Sequence, residues 1–187
     1  SCDVIQDGSG ALVAPGVIVT NAHVVAGERA TTVLVPNLGP LNAVVVAFDP
    51  DRDLAVLRIP TIHVAPLTIS DAQVGDTGGV FGYPGGGNEA EAPARVAERI
   101  QADGTDIYHQ APTQRDVLVL AAKLVPGNSG GPLVNVHGQV VGLAFAVDPS
   151  ASSTAYALAT DEVNAVLHPV LVSGTTAAVS TGSCLDG

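Results

Sequence analysis

Short apolar runs broken by turn residues fill the first eighty or so positions. Ala11–Ala14, Val17–Thr20, Thr32–Val35, Ala43–Phe48, Leu54–Ile59 and Gly79–Phe81 are rich in Val, Ile and Leu. Pro15-Gly16, Pro36-Asn37 and Asp49-Pro50-Asp51 separate them. β-branched runs of this length between Pro, Gly, Asn and Asp read as strands joined by turns. Residues 84–93, Pro-Gly-Gly-Gly-Asn-Glu-Ala-Glu-Ala-Pro, are acidic and glycine-rich and predict a linker. A second series follows: Ala94–Ile100, Asp106–Gln110, Val117–Leu124, Pro132–Val136, Val140–Val147 and Thr154–Ala159. Strands, linker and strands again predict an all-β chain of two small barrels side by side. The expected division is a first barrel over 1–83, a linker over 84–93 and a second barrel over 94–160. A C-terminal helix and tail would take 161–187.

The period changes near the end. Val163, Val166, Leu167, Val170 and Leu171 fall at helical spacing, with Asp161 and Glu162 in the first turn. Thr160 is the expected N-cap and Gly174 the expected stop. Pro169 would clash with the carbonyl of Ala165, so the pattern predicts a short helix kinked there. No repeat at solenoid spacing is present.

Composition narrows the picture in three ways. A chain of 187 residues with 47% hydrophobic and 13% charged positions carries enough apolar surface for a substantial core, which excludes a disordered tail. Aromatics make up 3% and Trp and Met are absent, so Val, Leu, Ile and Ala must build that core. The formal net charge is −11 and only seven residues are basic, scattered along the chain. Phosphate neutralisation needs clustered Lys and Arg, so nucleic acid is excluded as a partner. An acidic chain gains nothing from an anionic membrane surface either.

Cys2 and Cys184 lie almost at the two ends, in polar segments that read as exposed. Exposed free thiols are a liability, so the pair predicts a structural disulfide and an oxidising compartment. The longest uncharged run, 8–27, is interrupted by Pro15, Asn21 and His23 and falls short of a membrane span. The chain starts with neither Met nor a signal-type segment and reads as a processed or trimmed domain. Any membrane anchor would lie outside it.

The chemistry concentrates in Val125-Pro-Gly-Asn-Ser-Gly-Gly-Pro-Leu133. A serine among glycines can be an ordinary loop residue, but here the backbone N–H groups of Gly127 and Ser129 can point into one concavity. Such an oxyanion hole stabilises developing negative charge by about 3–4 kcal/mol per donor. Gly130 and Gly131 would keep the approach to Ser129 open. A nucleophilic serine needs a base. Of five histidines, His63, His109, His137 and His168 read as surface or satisfied residues. His23 differs, because it lies where the strand Val17–Thr20 runs into a short turn of helix. The base needs an orienting acid. Asp49 and Asp51 flank Pro50 as turn residues, whereas Asp53 directly precedes the strand Leu54–Ile59. Asp53 is therefore the candidate.

Thr20-Asn-Ala-His-Val-Val25, Asp53-Leu-Ala-Val-Leu57 and Pro126-Gly-Asn-Ser-Gly-Gly-Pro-Leu133 together resemble the HtrA-like branch of the chymotrypsin-like serine proteases. The order His, Asp, Ser agrees, and the likeness extends over essentially the whole chain. It implies two six-stranded antiparallel barrels, with His23 and Asp53 on the first and Ser129 on the second. It also implies a catalytic triad, an acyl-enzyme on Ser129, protein or peptide substrates and no cofactor or metal. By the same analogy Lys123, Ala144, Phe145, Ala146 and Thr154 line the substrate pocket. A nearer likeness within the branch, to membrane-anchored periplasmic proteases of mycobacteria, implies a periplasmic or extracellular setting and a part in stress or acid resistance. This chain departs from the HtrA pattern in carrying no PDZ domain. Ser1-Cys2-Asp3 also offers no Ile-Val-type terminus for zymogen-style activation.

Two other readings compete. Gly127-Asn-Ser-Gly-Gly131 formally fits the nucleophile elbow of α/β-hydrolases, with Asp148 or Asp161 and then His168 in their chain order. That elbow needs a helix after the serine, and here Gly-Gly-Pro and more strand follow. The other rival is a latent protease fold that serves as a scaffold or binding module.

Overall fold

The computed structural model describes Cys2 and residues 7–185. Five strands form the first sheet: β1 (Ala11–Ala14), β2 (Val17–Thr20), β3 (Thr31–Val35), β4 (Gly39–Asp49) and β5 (Leu54–Arg58), in the order β1-β2-β5-β4-β3. A four-residue helix, α1 (Ala22–Val25), follows β2. Six strands close the second barrel: β6 (Thr77–Gly82), β7 (Ala90–Thr105), β8 (Pro112–Ala122), β9 (Pro132–Asn135), β10 (Val140–Val147) and β11 (Thr154–Ala159). Every ladder between these strands is antiparallel. The chain is thus all-β with one longer helix, α2 (Thr160–Ser173), at its end.

Three features differ from the sequence reading. The strand containing Gly79–Phe81 pairs with β7 and β9, so it belongs to the second barrel and leaves the first sheet with five strands rather than six. Residues 84–93 do not connect the two halves. They begin with a single 3-10 turn at Pro84–Gly86, and Ala90–Pro93 is already β7, paired with Gly79–Gly82. Composition suggested a linker, yet Glu91, Pro93 and Arg95 face solvent while Ala94 and Val96 are buried, a strand's alternation. Asp106–Gln110 is a turn rather than a strand. The Asp106 carboxylate accepts the backbone N–H groups of Tyr108, Gln110 and Ala111 at 2.9, 2.9 and 3.2 Å, which curls the chain between β7 and β8.

The true connection between the halves runs from Ile59 to Asp76 and is stitched to both. Leu67 N–H donates to Leu12 O at 2.8 Å on the first sheet. Val140 N–H donates to Thr68 O at 2.8 Å, and Ser70 N–H to Val140 O at 2.9 Å, on the second barrel.

Three apolar clusters fill the molecule. One, including Val80, Leu118, Leu120 and Leu133, fills the closed barrel. Another, including Ile18, Val45, Leu57 and Ile59, lines the first sheet. The third joins the halves: Val17, Val19, Leu54 and Val56 of the first sheet meet Leu143 and Leu158 of the barrel and Val163, Leu167 and Val170 of α2. Helix α2 runs unbroken through Pro169, and Gly174 ends it at φ 62° with its N–H on Val170 O. Thr160 does not cap it. Ala159 occupies that position, and the Thr160 hydroxyl donates to Asp71 at 2.8 Å.

Cys2 and Cys184 are disulfide-bonded across 182 residues of sequence. Next to the bridge, Gly27 N–H donates to Thr181 O at 2.9 Å and the Thr181 hydroxyl to Glu28 O at 2.7 Å, fastening the C-terminal tail behind α1.

Leu158 is fully buried in the joining cluster, so Leu158→Ala is expected to lower unfolding free energy by about 2–5 kcal/mol in urea titrations. A loss below 1 kcal/mol would show that the halves do not rely on this cluster. Replacing both cysteines by serine is expected to cost about 2–5 kcal/mol in the same assay. Reduced wild type should match the double variant.

Candidate active site

Strand register creates the first half of the site. Thr20 on β2 pairs with Ala55 on β5, which sets the residues just after β2 beside those just before β5. Asp53 is 4% exposed and has φ 58°, a left-handed backbone that costs a non-glycine residue about 1–2 kcal/mol. Its carboxylate and carbonyl oxygens are all engaged. Oδ1 accepts the backbone N–H of His23 at 2.9 Å, Oδ2 meets His23 Nδ1 at 2.7 Å, and the carbonyl accepts Asn21 Nδ2 at 2.9 Å.

Two donors of one residue thus converge on a single carboxylate. His23 N–H is one of the orphan donors in the first turn of α1, and Asp53 satisfies it from across the sheet. The second contact fixes the ring relative to that backbone. An ionised carboxylate only accepts, so Nδ1 carries the proton and Nε2 keeps its lone pair. The His23 side chain is 26% exposed against 5% for Asp53, an imidazole reachable from outside with its acid sealed behind it.

The Ser129 loop arrives from the other barrel. Gly127 has φ 96°, and a β-carbon there would meet Tyr83 O at 2.5 Å and Gly85 N at 2.8 Å. Only glycine fits. Gly130 has φ 79°, and a β-carbon on it would run into Ser9 O and Thr20 Oγ1, with Asn21 N at 3.2 Å. The glycine after Ser129 therefore lets the loop lie flat on the backbone that leads to His23, rather than opening an approach as the sequence suggested. Gly131 does the same against Phe81 O. The loop is thereby seated against Thr20 and Asn21, just before His23 in the chain, and Ser129 is partly exposed.

Ala144 cradles the loop from behind: its carbonyl accepts Gly130 N–H at 2.8 Å and its N–H donates to Gly131 O at 2.9 Å. Phe145 packs against the cluster between the halves, with the Arg115 guanidinium 5.9 Å from its ring centroid. Ala146 is half-buried, Thr154 pairs with Ala121, and Lys123 is exposed just past the end of β8. The β10–β11 turn between Ala146 and Thr154 is held by Asp148. Its carboxylate accepts Ser150 N–H and Oγ at 2.8 and 2.6 Å and Tyr156 OH at 3.0 Å. Those donors, the Ser150 hydroxyl first, hold it below the usual carboxylate range.

Sequence reasoning passed over Asn21, which is fully buried and grips the Asp53 backbone. Its place two residues before His23 was the available signal. It also passed over the cations around the Asp53 turn. Arg115 Nε donates to Asp51 O at 2.7 Å, and Arg52 bridges Asp49 and Glu162 at 3.1 and 3.0 Å. Among the described residues no group of three or more His, Cys, Asp or Glu could hold a metal ion.

Comparison with known proteins agrees with this geometry. Residues 8–143 match the trypsin-like peptidase domain family. Serine protease Rv3671c of Mycobacterium tuberculosis is 39% identical over 99% of this chain and 46% of its own length. The Do-like serine protease HtrA of Lactobacillus helveticus is 35% identical over 85% of this chain and 40% of its own. The chain thus spans less than half the length of the curated relatives it matches. The crystal structure of the active form of Rv3671c protease superposes with a TM-score of 0.93 at 38% identity, covering 99% of this chain and 81% of that one. An inactive form of the same protease gives 0.80, covering 89% of this chain and 85% of that one. With fold, motifs and relatives in agreement, the chain belongs to the trypsin-like peptidase family, in its HtrA-like branch.

Proposed function

We propose that this chain is a serine endopeptidase that hydrolyses protein or peptide substrates through an acyl-enzyme on Ser129. The observation that carries the reading is the two-point hold of Asp53 on His23, since it leaves the imidazole with the one tautomer a general base needs. Ser129 Oγ attacks the peptide carbonyl while His23 Nε2 takes its proton. The carbonyl carbon becomes tetrahedral, and its oxyanion rests on the N–H groups of Gly127 and Ser129. His23 then returns the proton to the departing amine. A water activated by the same nitrogen hydrolyses the ester and frees Ser129. Asp53 keeps its charge throughout and stabilises the imidazolium.

Lys123, Ala144, Phe145, Ala146 and Thr154 are proposed to border the substrate pocket, on the family analogy and their place just past β8 and on β10 and β11. The higher superposition on the active than on the inactive form of Rv3671c protease supports a competent arrangement over a latent scaffold. The disulfide supports a periplasmic or extracellular setting. No helix among the described residues is long and apolar enough to cross a membrane. A membrane anchor outside the chain and a part in stress or acid resistance are what the family resemblance proposes for the longer protein.

A fluorophosphonate probe at neutral pH is expected to label wild type on Ser129, located by mass spectrometry, and to leave Ser129→Ala unlabelled. Folded, oxidised wild type without an adduct would favour the scaffold. A second expectation concerns the tautomer. Asp53→Asn has one acceptor oxygen to offer two donors, and the backbone N–H of His23 can only donate. That N–H keeps the oxygen, so the amide NH2 faces Nδ1 and forces the proton onto Nε2. The expected loss is on the order of 10³–10⁴ in kcat with little change in KM. A loss below tenfold would mean that His23 is not the base.

A further inference from the structure

We propose that Ser9 is a positioning residue that holds the Pro126–Gly130 loop in its working shape. The inference rests on the hydrolase reading above and adds a part to it. Ser9 belongs to no strand and sits between two glycines, yet it is only 7% exposed. It makes four hydrogen bonds to three separate parts of the site. Its N–H donates to Ser129 O at 2.7 Å, and its hydroxyl donates to Gly127 O at 2.7 Å. The same hydroxyl accepts Tyr83 N–H at 3.0 Å, and the Ser9 carbonyl accepts the Thr20 hydroxyl at 2.7 Å.

Consecutive peptides of the loop show what these bonds do. Pro126 O is held by Gly85 N–H at 3.2 Å, and Asn128 O by Gly131 N–H at 2.9 Å. Gly127 O and Ser129 O are the two that Ser9 holds. A trans peptide is planar, so a fixed carbonyl fixes the N–H on its other side. The peptides held by Ser9 alternate with those that carry the Gly127 and Ser129 amides. Pinning 127–128 and 129–130 leaves the intervening 128–129 peptide, with the Ser129 N–H, one orientation. The far ends of the pinned peptides agree, since Asn128 N–H donates to Val125 O at 3.1 Å and Gly130 N–H to Ala144 O at 2.8 Å.

Local turns hold part of that arrangement, through Asn128 N–H on Val125 O and Gly131 N–H on Asn128 O. Gly127 and Gly130 stand at φ 96° and 79°, and glycine tolerates either orientation of a flanking peptide. The carbonyls of Gly127 and Ser129 are held from elsewhere in the chain, and Ser9 supplies both bonds. Through Thr20 it also joins the loop to β2, the strand that leads into His23.

Ser9→Ala removes the hydroxyl and keeps both backbone bonds. The expected result is a loss of about 10- to 100-fold in kcat with KM within about twofold, since an unpaired buried carbonyl frees the peptide to turn. A peptidyl boronate, whose tetrahedral adduct uses the same amides, should weaken by the same factor, and a product peptide should not. The Asn128 amide should exchange faster by NMR. Unchanged kcat and boronate affinity would overturn the proposal, and so would a loss that follows the unfolded fraction. If Ser9→Ala does not fold, Ser9→Thr is measured instead. Because it keeps the hydroxyl, activity near wild type supports the proposal, and a folded Ser9→Thr with the full loss overturns it. Wild type that neither hydrolyses peptides nor takes the fluorophosphonate overturns the hydrolase reading. In that event Asn128 exchange still decides whether Ser9 holds the loop.

Discussion

A carboxylate taken out of water must find donors, and Asp53 finds both of them on His23. Leaving either oxygen unpaired would cost several kcal/mol, so this pairing is a condition of burying the group at all. It also explains the strained backbone. At φ 58° the carboxylate can reach the first turn of α1, and the Asn21 amide holds the carbonyl that this conformation presents. The pairing of β2 with β5 supplies the rest, because a shift of one residue would turn Asp53 to the other face. The register of the first sheet and the His–Asp pair therefore depend on each other.

The turn before Asp53 is held by residues from other parts of the molecule. Arg115 on β8 and Ile107 in the β7–β8 turn both donate to its carbonyls, at 2.7 and 3.2 Å. Glu162 of α2 accepts from Arg52 at 3.0 Å and from Asp116 N–H at 2.9 Å. Arg52 is half exposed, and single ion pairs of that kind are worth little. Here the charges meet backbone groups of three elements at one place. Their effect is to fix a loop, which differs from adding stability. A chain with seven basic residues uses two of them, Arg52 and Arg115, for this purpose.

The division between what was legible in the sequence and what was not follows from the range of the interactions. His23, Asp53 and Ser129 stand in motifs whose neighbours state the local backbone, a strand entering a turn or glycines around a serine. α2 was legible because burial at Val163, Leu167 and Val170 is periodic. Asp106–Gln110 was not, since Ile107 and Tyr108 favour strand and the deciding contacts come from one side chain gathering three amides. Residues 84–93 misled through composition, because alternation survives in a strand whose outward positions include Glu91 and Pro93. The true crossover, 59–76, mixes apolar and polar residues and holds one glycine, Gly75, so its composition does not mark it as a linker. It is bonded to both halves, and a segment so occupied has no need to be flexible.

Ser9 marks the limit of local reading. Its partners at Gly127 and Ser129 lie about 120 residues away, and Gly-Ser-Gly alone reads as a loop. The same distance gives the arrangement its character. On the proposal above, the amides of Gly127 and Ser129 stay aligned only while the Ser9 segment remains docked on the loop. Rv3671c protease has been solved in both active and inactive forms, so two arrangements are within reach of a homologous sequence. In this chain the Ser9 segment and the Tyr83–Gly85 turn hold the carbonyls of Pro126, Gly127 and Ser129. Competence is therefore a property of how the N-terminal segment, the 3-10 turn and the serine loop pack together. The nucleophile's own motif does not determine it.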